Sequence, residues 1–520
     1  MSARSRRSRL GVTPLETRVN PSTFTWDGGG ADDNWSTGAN WVGDVAPTAA
    51  DVDTVVVFNT VDPNVVMDIA GMDVARIQFD AGSDVTLVLN TDLTLDAAGA
   101  AVNIQDTTAS TNVIAGPGGL VLTNADAVIN HPGFPGFLLV SAPITGLRGF
   151  TKTGTGTIIL STTVGNTYRG TTTVADGVLE LRTDTLNRGL SGNVVVGDGV
   201  GAAGTAVLQF GPTNNFELRS DTTLTVNGDG RVNVPGGAID SLTSLNVDGG
   251  RLNLAGTFHL QSGGIVSSNG AAGSVIDAPG ELASLGVLFR FDVADGPGAT
   301  DLLVSTSLSQ VDFPATLVKT GTGTIEFAMP AANTLTGATL VRDGVLLLNT
   351  TTTDAALSGA ITVGDAIGAA RSAALRLVNA SEIADTAGIR VNADGLLDVT
   401  ATASEKVASL NLNLAPGGGG FAIATGGVFQ VEPADPLDTI DLTGGVLTFN
   451  RTGPLVPMGQ TVTLIDNLGA DPVTGTFAGL PEGGVLTANG QTFTISYVGG
   501  DGNDVVLTPA NTPPSRSRTR

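Results

Sequence analysis

Apolar and polar residues alternate along this chain in runs of three to six residues, and corners containing Gly and Asp separate the runs. Examples are TTTV-ADG-VLEL from Thr171 and SLNV-DGG-RLNL from Ser244. Alternation with a period of two is the signature of a β-strand with one buried face. Gly adopts positive φ without steric cost and Asp supports tight turns, so the corners are sharp bends. The pattern predicts an all-β fold with inward-facing Ile158, Leu160, Val174, Leu179, Leu181, Val195, Leu208, Leu224 and Val226.

The spacing of the corners separates two ways of arranging these strands. Asp-Gly between alternating strands is the usual signal of a hairpin. The valines before successive corners, however, lie twenty-two, thirty and twenty-one positions apart, at Val174, Val196, Val226 and Val247. An interval of roughly 22 residues fits one turn of a β-solenoid, and the longer interval fits an outward loop. With a spacing of ~4.8 Å per turn, about 20 stacked turns would form a rod on the order of 100 Å long.

The chain also contains an internal duplication. The segment TKTGTGTIIL, which begins at Thr151, returns as VKTGTGTIEF from Val318, so that Lys152 matches Lys319 and Asn166 matches Asn333. Further along the chain the offset is two positions shorter, as expected if a loop between fixed strands lost two residues. A duplication of this size indicates that both stretches fold in the same way.

The duplicated segments, residues 152–181 and 319–348, share K-T-G-x-G-T followed by G-x-T/A-x-V/L-x-x-G-V-L-x-L. This pattern resembles the passenger-associated (autotransporter-associated) β-strand repeat. The resemblance implies a secreted, right-handed parallel β-helix (β-solenoid) with N- and C-terminal capping regions, and it implies no catalytic activity. We expect no C-terminal autotransporter barrel, because the final ANTPPSRSRTR is far shorter than the roughly dozen strands that such a barrel needs.

These features divide the chain into six predicted segments. A solenoid needs a cap at each end, because the open edge of a terminal turn would otherwise pair with other chains. The segments are an Arg-rich disordered leader (1–20), an N-terminal cap with the first turns (21–110), repeat 1 (111–273), repeat 2 (274–430), a C-terminal β cap module (431–509) and a disordered basic tail (510–520).

Composition narrows the class of protein. The formal net charge is −24, and a chain this acidic repels phosphate backbones, so we expect no nucleic-acid partner. Cysteine is absent, which excludes disulfides and thiol chemistry. No run of 18 apolar residues exists, so the sequence does not predict an integral membrane protein that spans with helices. Together with the resemblance, these features predict an extracellular or cell-surface location.

All three tryptophans, Trp26, Trp35 and Trp41, lie close together near the start of the chain. We expect them to pack as a plug over the first turn, because buried Trp usually serves packing. The alternative is a glycan-binding platform, on which sugar rings stack on the indole faces while the neighbouring acidic residues bind hydroxyl groups.

The sequence offers one weak metal motif. GGDGNDVV from Gly499 fits a single nonapeptide of the calcium-binding β-roll, which makes Asp501 and Asp504 candidate calcium ligands. One copy supplies only about half of the six to eight oxygen ligands that calcium takes. A glycine turn is therefore the favoured interpretation, and no cofactor is expected.

Acidic corner residues would form two columns if the turns stack. Such a column could bind Ca²⁺ or serve a polysaccharide lyase, which would also need a base; Arg231 and Arg342 are the nearest in sequence. Turn formation explains the acids equally well. The corner residues are Asp176, Asp198 and Asp229 in repeat 1 and Asp343, Asp365 and Asp394 in repeat 2.

The two histidines, His131 and His259, do not match at the repeat offset and form no catalytic motif.

The sequence therefore predicts a non-enzymatic, secreted or surface-exposed β-solenoid of bacterial type with a structural or adhesin-like role. Its expected partner is an extracellular surface or polysaccharide, on which weak contacts along the rod can sum. Two alternatives are a carbohydrate-binding protein that uses the Trp cluster and a polysaccharide-degrading β-helix enzyme.

Overall fold

The computed structural model describes residues 22–80, 83–96, 102–133, 135–183, 189–211, 217–353, 356–401, 404–412, 418–435 and 438–510. The leader predicted for residues 1–20 and residues 511–520 of the predicted tail lie outside this part of the chain. Within it, the sole helix is a single 3₁₀ turn, Gly38–Asn40. No helical segment there reaches the length and hydrophobicity needed to cross a bilayer.

Most of the chain coils into parallel turns, and the strands of successive turns stack into two tall sheets. We call the larger one the long sheet. Its strands are Thr23–Trp26, Val55–Phe58, Arg76–Phe79, Ile104–Asp106, Ala127–Asn130, Phe150–Thr153, Thr172–Val174, Val194–Val196, Thr223–Asn227, Ile239–Asp248, Thr257–Ser268, Glu281–Ser284, Leu288–Val293, Ser307–Gln310, Thr316–Thr320, Thr339–Val341, Ile361–Val363, Gly388–Val391, Ser409–Asn411 and Ile440–Asp441.

The second sheet takes the strand that follows each corner. Its strands are Val61–Met67, Asp84–Leu89, Asn112–Ala115, Phe137–Val140, Thr157–Leu160, Gly177–Leu181, Ala206–Phe210, Gly230–Val234, Arg251–Leu254, Ser274–Asp277, Leu302–Val304, Thr324–Phe327, Gly344–Leu348, Ala373–Leu377, Gly395–Asp398, Gly420–Ala424 and Val446–Asn450. Every neighbouring pair in this sheet is parallel, as in the pairing of Thr157–Leu160 with Gly177–Leu181.

Two smaller sheets complete the molecule. The N-terminal sheet lies on a third side of the first turns and contains Met72–Val74, Leu93–Leu95, Leu120–Leu122 and Ile144–Gly146. The C-terminal sheet contains Ser404–Val407, Val428–Val431, Val462–Asn467, Asp504–Pro509, Gln491–Gly499 and Val485–Ala488. Its last four strands pair antiparallel, which breaks the stacking pattern at this end of the coil. The sheet begins at Ser404, inside the segment that the sequence assigned to repeat 2.

The predicted register is confirmed. In repeat 1, Val174 pairs with Val196, Val196 with Val226, and Val226 with Val247. Lys152 precedes this column as the register partner of Val174. The fold is therefore the expected all-β parallel solenoid and not a series of hairpins.

Repeat 2 shows the same stacking. Lys319 pairs with Val341, Val341 with Val363, and Val363 with Val391. The two lysines of the duplicated signature thus occupy equivalent places in equivalent columns.

The coil has fewer turns than the sequence predicted. Among the described residues the second sheet has 17 strands. The sixteen steps from Val61 to Val446 correspond to roughly 24 residues per turn, within the range of solenoid repeats. Among the described residues, none before Val61 or after Asn450 adds a strand to this sheet. At ~4.8 Å per step the stack is about 75–80 Å tall.

The core is a stack of aliphatic ladders, and eight of the nine predicted inward residues are buried. The exception is Val195, which is partly exposed on the strand Val194–Val196, whereas Val194 and Val196 are buried. Successive side chains on a strand point to opposite faces. Three consecutive valines do not reveal which one points inward, so the prediction for Val195 was wrong.

Candidate functional site

The duplicated signature places a lysine side chain inside the coil in each copy. Lys152 lies on the strand Phe150–Thr153 and is fully buried. It stands in the inward column that valine occupies on the next turn. A lysine can fill such a position because its four-carbon stem is apolar, but its ammonium group then needs acceptors inside the protein.

Three backbone carbonyl groups satisfy the Lys152 ammonium. Nζ donates to the carbonyl oxygens of Thr153 at 3.2 Å, of Asp176 at 2.8 Å and of Gly154. Thr153 and Gly154 belong to the corner that follows Lys152, whereas Asp176 belongs to the corner one turn later. An ammonium group has three donors and no acceptor, so this corner saturates it and ties two consecutive turns together.

Repeat 2 contains the same arrangement. Lys319 Nζ donates to the carbonyl oxygens of Thr320 at 2.8 Å, Gly321 at 2.6 Å and Asp343 at 3.0 Å. Recurrence of all three contacts at the repeat offset shows that the K-T-G-x-G-T signature encodes a buried inter-turn clamp. We call each of these two arrangements a lysine clamp.

Burial lowers the pKa of Lys152 and of Lys319 to about 8, against the attraction of nearby carboxylates that include Asp176 and Asp343 respectively. A lysine with a lowered pKa is also typical of catalytic bases and nucleophiles. Here the two side chains are 0% and 1% exposed. No substrate could reach either nitrogen, so the geometry supports a structural role.

A glycine on the following turn makes room for each clamp. A Cβ atom at Gly177 would lie 2.4 Å and 2.5 Å from the carbonyl oxygens of Gly154 and Gly156 and 2.6 Å from Lys152 Nζ. One at Gly344 would lie 2.4 Å from the carbonyl oxygens of Gly321 and Gly323 and 2.8 Å from Lys319 Nζ. Both glycines also have positive φ, +65° and +67°, which disfavours other residues. The glycine of the Asp-Gly corner is thus required by the backbone and the lysine of the preceding turn as well as by its own bend.

An asparagine joins three turns in each copy, and it is buried at Asn166 and half-buried at Asn333. Asn166 accepts the Ile144 N–H at 2.7 Å with Oδ1, and its Nδ2 donates to the Gly189 carbonyl oxygen at 2.7 Å. Asn333 does the same with the Leu308 N–H at 2.9 Å and the Ala356 carbonyl oxygen at 2.7 Å. The side-chain amide supplies one acceptor and one donor in opposite directions along the coil axis.

Sequence reasoning missed a pair of buried acids in each copy. Glu217 accepts the N–H of Thr183 at 3.1 Å, and Asp240 on the next turn accepts the N–H of Leu218 at 3.0 Å. Burial raises the pKa of Asp240 to about 8. The signal was present in the sequence, because Glu217 and Asp240 recur at the repeat offset as Glu382 and Glu405.

The acids of repeat 2 have matching roles. Glu382 accepts the N–H of Thr350 at 2.6 Å, and its own N–H donates to Glu405 at 2.9 Å. Burial raises the pKa of Glu382. These carboxyl groups accept hydrogen bonds from backbone N–H groups that have no partner in a neighbouring strand. Buried polar groups in proteins are usually hydrogen-bonded in this way.

The predicted corner acids stabilise the turns in which they lie. Asp229 accepts the N–H groups of Asp198 at 3.2 Å and Gly199 at 2.9 Å. In repeat 2, Asp394 accepts those of Asp365 at 3.1 Å and Ala366 at 2.8 Å. These carboxylates are therefore occupied by backbone donors, and the candidate bases Arg231 and Arg342 are exposed on the surface.

The three tryptophans form one packed cluster under the first turns. Trp41 lies edge-to-face against Trp26, with ring centroids 5.1 Å apart, and against Trp35 at 5.5 Å. Phe58 continues the cluster into the core. The indoles are 0%, 0% and 1% exposed, so in this structure no indole face is open to a sugar ring, and the geometry supports the plug.

His131 lies one turn before the Lys152 clamp. Its ring is fully buried, with Nε2 4.0 Å from Oδ2 of the buried Asp106. Burial lowers the pKa of His131. Gly156 leaves the room that the ring needs, because a Cβ atom there would overlap Nδ1. His259 lies on a different strand of the long sheet, Thr257–Ser268, so the structure does not bring the two histidines together.

The candidate calcium ligands lie at the turn between the last two strands of the chain. Asp501 is exposed, whereas Asp504 is buried and accepts the Asn467 N–H at 2.9 Å. Burial raises the pKa of Asp504. Among the described residues no group of three or more His, Asp or Glu side chains is arranged to hold a metal ion. Calcium binding by this pair stays a prediction.

Comparison with known families agrees with these findings. The model of the passenger-associated-transport-repeat matches residues 150–181 and 317–348. Each match contains one lysine clamp with its Asp-Gly corner. The chain thus carries two copies of the autotransporter passenger repeat on a β-solenoid. No curated protein matched the chain.

Proposed function

We propose that this protein is a non-enzymatic scaffold that is secreted or displayed at the cell surface, where its rod holds attached or adjoining groups at a distance. The observation that carries this proposal is the pair of lysine clamps. They bury charged groups to tie turn to turn, and they leave no reactive atom exposed. Clamps of this kind stiffen the stack and offer no group for catalysis, so they favour a mechanical role.

The continuity of the core supports the same role. Buried apolar residues form one cluster from Trp26 at the first turns to Leu507 in the C-terminal sheet. In a solenoid each turn contacts only its neighbours, so stability accumulates along the stack and the shape is an extended rod. The Trp cluster and the antiparallel strands cover the two ends, where unpaired strand edges would otherwise bind other chains.

The location is inferred from the repeat. Its description associates it with the transport of passenger segments, and passenger segments of autotransporters are secreted or surface domains. Absence of cysteine fits a protein held together by its core alone. An adhesin-like role follows if the long acidic face carries weak contacts that sum along the rod.

Protease treatment of intact producing cells tests the location. Surface display predicts loss of the full-length band from intact cells, whereas a cytoplasmic marker protein survives. Secretion predicts recovery from the medium. Retention of the protein inside protease-resistant cells would overturn the surface assignment.

Small-angle scattering and an activity screen test the scaffold role. A stack about 75–80 Å tall should give the scattering profile of a rigid rod that does not change with salt. Polyuronates incubated with the protein, with and without calcium, should yield no unsaturated uronide products. Formation of such products would contradict the non-enzymatic assignment.

A further inference from the structure

Repeat 1 carries a row of arginines that repeat 2 lacks. Arg148, Arg169 and Arg219 are exposed on the corner that leads into the long sheet. The strands after them stack in register, with Phe150 on Thr172, Thr172 on Val194 and Val194 on Leu224. The three side chains therefore follow one edge of the coil, and the turn between Arg169 and Arg219 carries Ser191 there instead. We call the three residues the arginine corner.

The arginine corner borders an open depression. Arg169 and Arg219 line a cavity of about 500 Å³ together with Asn166, Ser191 and Asp221. A second depression of about 380 Å³ adjoins it, shares Arg169, Ser191, Arg219 and Asp221, and extends to Asn193. The lining offers the Arg169 cation, hydroxyl groups and the exposed Asn193 amide over about two turns, and its Asp221 carboxylate is paired with Arg219. An open polar trough of this kind suits a segment of an extended polymer.

Two of the arginines differ in how they are held. Arg219 makes a two-point ion pair with Asp221, with Nε–Oδ1 at 3.0 Å and Nη2–Oδ2 at 2.9 Å. This pair fixes the guanidinium and leaves its other N–H groups free to donate, because a guanidinium has five. No hydrogen bond or ion pair of the Arg169 side chain is found within the described part of the chain. Arg169 is thus an uncompensated cation on a chain of net charge −24.

Comparison of the two copies separates what the coil needs from what it does not. The clamps, the bridging asparagines and the buried acids recur in both copies. The positions that match Arg148, Arg169 and Arg219 are Ala315, Thr336 and Ala384. Repeat 2 stacks in the same register without any arginine there, so the arginine corner is dispensable for the fold.

We propose that the arginine corner of repeat 1 binds an acidic polysaccharide. Guanidinium groups bind carboxylate and sulfate groups with two parallel hydrogen bonds, and the surrounding hydroxyls and amides match sugar hydroxyls. Nucleic acid is disfavoured, because a duplex carries one charge per ~1.7 Å of axis and the acidic body would repel so dense a polyanion. This site goes beyond the proposed scaffold role, which stands even without a ligand.

Calorimetric titration of the purified full-length protein with polygalacturonate tests this site. Binding is expected at low ionic strength, with affinity that falls as salt is added. The fully methyl-esterified polymer, which has the same backbone without charge, should bind at least tenfold more weakly. Equal affinity for both polymers would overturn the site, and so would no binding of polygalacturonate by the unaltered protein.

Variants locate the site on the chain. Arg169→Gln with Arg219→Gln should weaken polygalacturonate binding at least tenfold, while the circular dichroism spectrum stays unchanged. Arg342→Gln, at an exposed arginine of repeat 2, is the matched control and should change affinity less than twofold. Equal losses in the two variants would show a non-specific charge effect and overturn the assignment. If the double variant unfolded, Arg169→Gln alone should still weaken binding at least threefold, because Arg169 has no partner to lose.

Introducing arginines at the matching positions of repeat 2 gives an independent test. Thr336→Arg with Ala384→Arg should add a second binding site and double the stoichiometry. A single-stranded DNA probe serves as the competing polyanion. Tighter binding of DNA than of polygalacturonate at the same arginines would contradict the choice of polysaccharide.

Discussion

The Lys152 ammonium donates to the backbone carbonyl oxygen of Asp176 on the next turn at 2.8 Å. The equivalent contact in the second copy joins Lys319 to Asp343 at 3.0 Å. Each lysine is thus the charged centre of a clamp between two turns of an otherwise aliphatic stack. The clamps account for the lysine and the first glycine of the K-T-G-x-G-T signature.

Replacing Lys152 with Met should destabilise repeat 1. The stem volume is kept, but the carbonyl groups of Gly154 and Asp176 lose their donor, and two such groups cost on the order of 3 kcal/mol in total. The Thr153 carbonyl keeps the His131 N–H at 3.1 Å. Urea denaturation followed by circular dichroism measures the loss, and hydrogen exchange should show faster exchange in residues 150–181 than in 317–348. Lys406→Met is the control, because Lys406 is partly exposed and pairs with Glu432 at 3.0 Å. A similar effect from both substitutions would contradict the clamp.

Gly177→Ala should cost more stability than its positive φ alone explains. Gly204 has φ of +76°, and no atom lies within 4 Å of the place that a Cβ would take there. Gly204→Ala therefore measures the backbone contribution, about 1–2 kcal/mol. At Gly177 the new Cβ would also meet the carbonyl oxygens of Gly154 and Gly156 and Lys152 Nζ, which should add about 1–3 kcal/mol of overpacking. Thermal denaturation of the two variants gives the difference, and equal losses would mean that Gly177 is required only for its turn.

Asn166→Ala should loosen three consecutive turns at once. The substitution leaves the Ile144 N–H and the Gly189 carbonyl without a partner, and two such groups cost about 2–4 kcal/mol. Asn253 is exposed on the second sheet, and Asn253→Ala should change stability by less than about 0.5 kcal/mol. Chemical denaturation measures both changes. An effect at Asn166 no larger than at Asn253 would show that water replaces the side-chain bridge.

The buried acids should make stability depend on pH in a defined direction. Asp240 has a pKa of about 8 in the folded protein against 3.8 for the free side chain. The folded state therefore binds more protons between about pH 4 and pH 8, and the free energy of unfolding falls as pH rises through that window. Asp240→Asn should remove this part of the slope. An unchanged pH profile in the variant would contradict a protonated Asp240.

The lysine clamps should make the free energy of unfolding depend on pH in the alkaline range. Their pKa of about 8 lies below the ordinary value of 10.5. The unfolded state binds more protons between about pH 8 and pH 10.5, so the free energy of unfolding rises with pH there. Comparing Lys152→Met with the unaltered protein from pH 8 to 10.5 isolates this contribution. A parallel profile for the two proteins would show that Lys152 keeps its proton throughout.

Several features of the fold could be read from the sequence, and others could not. The Val174–Val196–Val226–Val247 column followed from spacing alone, because stacked turns put equivalent residues in register. The inward position of Val194 and Val196 did not, since three valines in a row carry no alternation. The lysines were recognised as a repeated pair, but their burial was not predicted, because a lysine is normally solvated.

The candidate sites, too, could be predicted only in part from the sequence. Sequence spacing found Trp26, Trp35 and Trp41 and favoured a plug, but only the packing showed that no indole face is open. Glu217 and Asp240 were overlooked, although their recurrence as Glu382 and Glu405 was visible. The arginine corner needed the coil itself, because Arg169 and Arg219 are far apart in the chain and meet only when intervening turns stack.

The sequence by itself determined the parallel coil, the duplication and the strand register, because these depend on the period of apolar residues and on Gly corners, which are local properties. The tertiary structure alone decided where polar groups go: which lysine nitrogen finds three carbonyls, which acids are protonated, and which arginines border one trough. Hydrogen bonds and charges depend on distances between residues on different turns, and the spacing of apolar residues along the chain does not give those distances.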